Sequence, residues 1–206
     1  GAKSGGVGTI SKAAGSAGGT HISTQTFVGG TNTWTKPAGV TRVFVEIVGA
    51  GGGGSGHCES GGAGGYASEW IDVSNVASAI VTVGHGGAGR LYPVHGTDGE
   101  ATSFGTYCTA GGGEGSYANP SHRGGHGGIG TGGNVNIRGG GVGHAPGANM
   151  STGASYFGGG TPGCHNQNVQ TYDKHGGYGG GGAGAEVAQG RGAHGVDGHC
   201  VVWEYS

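Results

Sequence analysis

Three dipeptides in this 206-residue sequence join histidine to cysteine: His57-Cys58, Cys164-His165 and His199-Cys200. Imidazole and thiolate are zinc ligands. Their arrangement argues against a metal centre, because no C-x-x-C pair is present and adjacent side chains on a strand point to opposite faces. Carboxylates are the second chemical possibility. Glycoside hydrolysis needs two of them about 5–10 Å apart. Glu46, Glu69, Asp72 and Glu204 lie in strand-like stretches; Glu59, Glu114, Asp173 and Glu186 lie among glycines or loop residues. Nothing in their spacing pairs them. There is no G-x-S-x-G, and the glycine runs lack the strand–helix context that phosphate binding requires. The reading is of a protein that is not an enzyme and carries no cofactor.

Recognition chemistry is better represented. Aromatic and polar side chains are concentrated in SYANPSHR (116–123), NVNIR (134–138), HAPGANM (144–150) and CHNQNVQTYDKH (164–175). Sugars are bound by aromatic faces that stack on C–H surfaces and by amides and carboxylates that bond hydroxyls, and tyrosine brings contact area at small entropic cost. The candidate receptor-binding residues are Tyr117, Asn119, His122, Arg123, Asn149, Tyr156, His165, Asn166, Asn168, Tyr172, Asp173, His175 and Tyr178.

These residues need a scaffold, and the sequence offers two kinds. VTRVFVEIV (40–48) is strand-forming, with Val43, Val45 and Ile47 on one face and Arg42, Phe44 and Glu46 on the other. Further strands are expected in TFVGGTNTWT, in GGYASEWIDVS (64–74), in SAIVTVG (78–84), in the GEATSFGTYCTAGGG arm (99–113) and in the closing GHCVVWEYS (198–206). Pro37 and Gly39 mark a turn. No helical period appears. The strands thus fall mainly within 26–110 and 199–206, and the terminal strand must pair with earlier ones across the long excursion of 111–198. VTRVFVEIV is also a candidate edge for pairing between protomers.

Glycine supplies the second scaffold, at 59 residues of 206. Holding a glycine in a fold costs roughly 0.5–1 kcal/mol more than alanine. Over the whole set that is roughly 30–60 kcal/mol, well above a net stability of about 5–15 kcal/mol. Ordered glycines on this scale must be needed for close backbone contact. Collagen is excluded by the irregular spacing and the five prolines. Chains with three residues per turn and no internal hydrogen bonds point their amides and carbonyls outward, and packed side by side they satisfy one another only if no Cβ intervenes. The fold expected is all-β with irregular structure: a β-sandwich joined to a polyglycine-II helix bundle, the bundle formed mainly by 111–198. Residues 1–25 are read as a connector or the end of an upstream module. A floppy surface insertion is the alternative for the glycine runs.

Taken together, the Trp34-x-x-Pro37-x-Gly39-Val40 strand entry, the GAGGGG exit, the TSFG arm and the final VVWEY strand resemble the glycine-rich C-terminal domains of bacteriophage tail-fibre proteins over residues 26–206. The T-even-type phage adhesins are similar in a looser way, and the glycine-rich ectodomain of the anaplastic lymphoma kinase receptor shares the strand-then-glycine order. The tail-fibre resemblance implies a tip at the distal end of the fibre in the virion. Such a tip contacts a bacterial surface glycan of lipopolysaccharide or an outer-membrane protein, as a homotrimer, with a monomeric tip as the alternative. Assembly in a reducing cytoplasm implies free thiols for the four cysteines. A polysaccharide depolymerase and a purely structural fibre protein are the alternatives. Net charge of −2 with scattered basic residues gives no nucleic-acid footprint, and no apolar run is long enough to span a membrane.

Overall fold

The computed structural model describes residues 19–56, 59–118, 123–142, 152–161, 176–185 and 190–206. It contains ten strands and, among these residues, no helix. In chain order they are β1 (His21–Phe27), β2 (Gly30–Thr35), β3 (Arg42–Val48), β4 (Tyr66–Asp72), β5 (Ser78–Val83), β6 (Thr102–Phe104), β7 (Cys108–Ala110), β8 (Gly130–Thr131), β9 (Val135–Ile137) and β10 (His199–Tyr205). They form two five-stranded sheets, ordered β1-β10-β3-β4-β9 and β2-β5-β6-β7-β8, with every neighbouring pair antiparallel.

Alternation along the strands builds the core. Val43, Val45 and Ile47 of β3, Ala67 and Ile71 of β4, and Cys200 and Val202 of β10 turn inward from the first sheet. They meet Trp34, Val81, Val83, Phe104, Cys108 and Ala110 of the second. Full burial of a Val, Ile or Phe side chain contributes about 1.5–3 kcal/mol. The Trp34 and Phe104 rings stand 5.7 Å apart at its centre. The turn between β2 and β3 ends on Gly39, whose φ of +82° permits the Val40 amide to bond Pro37 oxygen at 3.3 Å.

Beyond the sheets the chain becomes a bundle of extended glycine-rich segments. Residues 50–55, which leave β3, are its centre. Their amides donate with a three-residue period. Ala50 and Gly53 bond Glu100 and Thr97, Gly51 and Gly54 bond Val196 and Ala193, and Gly52 and Ser55 bond Gly62 and Glu59, all between 2.8 and 3.0 Å. Their carbonyls accept with the same period: Ala50 and Gly53 from Gly113 and Ser116, Gly51 and Gly54 from Gly87 and Arg90, Gly52 and Ser55 from Gly182 and Ala185. One segment is thus surrounded by six others, as polyglycine-II packing requires. The returning run 59–65 is enclosed likewise, donating to segments around 111–114, 140 and 179–182 and accepting from 49–55, 125–128 and 153.

This corrects the expected division of labour. The bundle was assigned mainly to 111–198, yet its central chain is the β3–β4 connection, and 84–101 also runs through it. Strands β8 and β9 lie inside 111–198, and β1 begins at His21, within the expected connector. The physical reason is that β3, β4, β5 and β10 all continue along their own direction into glycine, so the connections of the sandwich are themselves the bundle. VTRVFVEIV is not an edge either, since β3 is flanked by β10 and β4; the edges of its sheet are β1 and β9.

Candidate recognition surfaces

Residues 49–55 lead away from the sheets and 59–65 lead back antiparallel to them, so Gly56 and Glu59 lie at the far end of the bundle, the tip. The bonds of Ser116 to Gly53, of Arg90 to Gly54 and of Ala185 to Ser55 bring Ser116, Arg90 and Ala185 to that end as well.

Next to Ser116, Tyr117 and Arg123 face each other in an isolated antiparallel bridge. The Tyr117 amide donates to Arg123 oxygen at 2.8 Å and the Arg123 amide to Tyr117 oxygen at 3.0 Å. The Arg123 guanidinium lies 4.2 Å from the centre of the Tyr117 ring. It also approaches Glu114 Oε2 at 3.7 Å and donates to His126 Nε2 at 2.5 Å. His95 stands 5.2 Å from the Tyr117 ring, tilted 49° to it. The sequence sets this up simply: Gly112, Gly113 and Gly115 hold the approach close to neighbouring backbone, and the first large side chain appears where the bundle ends. A neighbouring open groove at the tip is lined by Arg90, Leu91, Val94 and Arg191.

Tyr156 and Tyr178 are placed elsewhere, at the junction of bundle and sandwich. Tyr156 stacks on Tyr66 at 3.9 Å, and Tyr178 stacks on His199 at 4.0 Å with the rings 8° from parallel. Phe157 sits edge-on to both Tyr66 and His199, so the two tyrosines belong to one aromatic cluster. Ser155 Oγ donates to Tyr178 oxygen at 2.5 Å and fixes the turn that carries it. Burial lowers the His199 pKa. Burial chiefly, assisted by the Glu46 carboxylate that accepts from its hydroxyl at 2.8 Å, raises that of Tyr66. Asn119, His122, Asn149, His165, Asn166, Asn168, Tyr172, Asp173 and His175 lie outside the described residues. Of the thirteen candidates, the structure therefore brings Tyr117 together with Arg123 at the tip and Tyr156 together with Tyr178 at the junction.

Several acidic side chains serve as hydrogen-bond acceptors. Glu204 is fully buried and accepts from Trp34 Nε1 and Gln25 Nε2, each at 2.7 Å, and from Ser23 Oγ. Asp98, Glu100 and Asp197 accept the amides of Gly115, His85 and Gly86. No cluster of three His, Cys, Asp or Glu able to hold a metal ion occurs among the described residues. His199 and Cys200 take opposite faces of β10, the ring outward and the thiol into the core. Cys108 and Cys200 are free and buried.

A group not singled out from the sequence emerges on the outer face of the first sheet. Trp70 stands 5.0 Å from Phe44 and 5.2 Å from Tyr205, and Trp203 donates to Glu46 Oε2 at 3.0 Å. Strand alternation alone placed Phe44 opposite Val43 and Val45; the same alternation in SEWID and VVWEY would have put Trp70 and Trp203 beside it.

No curated protein matches this chain. A family model described as a glycine-rich domain matches residues 24–203. That span takes in both sheets and the bundle that connects them, and on it the chain belongs to the glycine-rich domain family.

Proposed function

We propose that this chain is the receptor-binding tip of a bacteriophage tail fibre, an adhesin without enzymatic activity. It attaches the virion to lipopolysaccharide glycan or to an outer-membrane protein of its host. The observation that carries the reading is the gathering of Arg90, Tyr117, Arg123 and Arg191 at the far end of a body held by inter-segment backbone bonds. Loops fixed on a stiff support are where recognition is usually built. Tyr117 and Arg123 stand at that end as an aromatic face with a guanidinium over it, suited to a sugar ring and its hydroxyl or anionic substituents. The resemblance of the strand entries and glycine exits to tail-fibre tips supplies the biological setting.

The test is binding of the fluorescently labelled chain to a panel of Gram-negative cells with and without their outer polysaccharide. Strain-selective binding that weakens in Tyr117→Ala and Arg123→Ala is the expected result, and its loss on stripping the polysaccharide identifies a glycan receptor. Absence of binding to every strain overturns the proposal.

A further inference from the structure

The two sheets present unlike faces to solvent. On the outer face of the β2 sheet the cross-strand pairs are hydroxyl-rich: Thr31 with Thr82, Thr82 with Ser103, and Ser103 with Thr109, interrupted by Ile80. The outer face of the other sheet carries Phe44, Trp70, Trp203 and Tyr205 across three adjacent strands, with Val135 and Ile137 beyond them on β9. Trp70 is 44% exposed, Trp203 36% and Val135 48%. A sheet with one solvated face ordinarily alternates apolar-in with polar-out, and contiguous exposed apolar area of this kind marks an interaction surface.

The geometry points to a second copy of this chain as the occupant, the two copies meeting face to face through this sheet. Three observations select that partner. First, the carboxylate amid the aromatic rings is already committed within the chain: Glu46 accepts from both Trp203 Nε1 and the Tyr66 hydroxyl, so the centre of the face offers chiefly aromatic area. The Phe44–Trp70 and Trp70–Tyr205 rings are also tilted 35° and 48° to one another, not set as a flat platform. Second, the face is self-complementary in charge. Arg42 and Asp72 are directly opposite on β3 and β4, with the Arg42 guanidinium 5.0 Å over Trp70. A two-fold axis running along the strands between β3 and β4 sets Arg42 of each copy against Asp72 of the other, the isologous arrangement of symmetric dimers. Trp, Tyr and Arg together are the composition of interface hot spots. Third, the axis overlays β10, β3, β4 and β9 of the two copies. Four strands about 4.8 Å apart and up to seven residues at about 3.3 Å give a face roughly 19 by 23 Å. With the flanking Tyr156 and Tyr178 this is below the roughly 800 Å² per partner of a standard interface and is the scale of a weak, reversible dimer.

This pairing leaves both tips free and pointing the same way, and it needs no receptor to form. It specifies a two-fold contact in place of the three-fold assembly expected from the sequence.

Sedimentation equilibrium of the whole chain across the micromolar range tests it. The expected result is a monomer–dimer equilibrium. Dissociation is about tenfold or more easier in Trp70→Ser/Trp203→Ser and in Arg42→Asp, and it returns towards the original value in the charge swap Arg42→Asp/Asp72→Arg. Ile80→Ser, on the hydroxyl-rich face, leaves the equilibrium unchanged. A monomer or a trimer at every concentration overturns the inference. So does a dimer indifferent to both the tryptophan and the arginine variants. The arginine swap stands as the test even if removal of the tryptophans impairs folding. A dimer that fails to bind cells refutes the receptor reading alone.

Discussion

A Cβ placed on Gly52 would stand 2.0 Å from the carbonyl oxygen of Glu114, on a segment 62 positions away in the chain. That oxygen is held where it is by the Gly62 amide at 2.9 Å, while the Gly52 amide itself bonds Gly62 oxygen. Neither side is the flexible end of a side chain, so neither yields without breaking the inter-segment bonds around it. Gly52→Ala is expected to destabilise the protein by about 3 kcal/mol or more, at the upper end of overpacking costs. Gly159 is the control. It has no atom within 4 Å of its Cβ position and no positive φ, and there alanine should be neutral or stabilising by about 0.4–1 kcal/mol through the unfolded chain. Urea unfolding of the two variants checks this; equal midpoints would mean that the bundle is not close-packed around 50–55.

The buried carboxyl of Glu204 organises the other end of the molecule. It accepts from Trp34, on the opposite sheet, and from Gln25 and Ser23 on β1. Replacing it by Gln retains an acceptor for Trp34 and Gln25, and the Ser23 hydroxyl can rotate to accept. Replacing it by Leu leaves the Trp34 indole N–H buried and unpaired, at a cost of about 1–3 kcal/mol. Glu204→Leu should therefore be clearly less stable than Glu204→Gln. The loss should shrink when Trp34→Phe is added, because the donor is then gone too. A double-mutant cycle with no coupling would refute the bond's contribution.

Burial pushes the Cys108 thiol up to about 12 and raises that of Cys200 further, its largest cause being desolvation by the core. Thiolate is the reactive form. In a Cys58→Ser/Cys164→Ser background the two remaining thiols should resist an aromatic disulfide reagent at mildly alkaline pH and react at once in denaturant. Rapid labelling of the native protein would place one of them outside the sandwich core.

Much of the sandwich is legible in the sequence because its signal is local. Alternation in VFVEIV and SAIVTV assigns faces before any partner is known, and Val43, Val45, Val81 and Val83 take the buried positions it implies. The bundle is legible only as a kind of structure. A glycine run carries no period that names its neighbours, and the partners of 50–55 come from segments at 59–62, 87–90, 97–100, 113–116, 182–185 and 193–196. These segments are scattered from 59 to 196 along the chain, and nothing local to a glycine run records which of them will meet. Tyr117 and Arg123 were visible as the first large residues after a glycine block. Trp70 and Trp203 were hidden by their strands, since an aromatic residue in a strand reads equally well as core.

His199 is expected to make the sandwich–bundle junction sensitive to acid. Its ring stacks on Tyr178 at 4.0 Å, meets Phe157 edge-on, and has a buried Nδ1 with no hydrogen-bond partner. Burial disfavours the imidazolium and holds the pKa below its ordinary 6.5. In the unfolded chain the ring titrates at the ordinary value, so as pH falls through 6.5 the unfolded state takes up a proton that the folded state refuses. The contribution is thus fully present above that pH and is lost progressively below it, down to the folded pKa. Melting temperature should fall between about pH 7.5 and about pH 5.5. His199→Phe keeps an aromatic partner for Tyr178 and removes the titration, and it should flatten that fall. An unchanged slope in this variant would show that the acid sensitivity originates at other histidines.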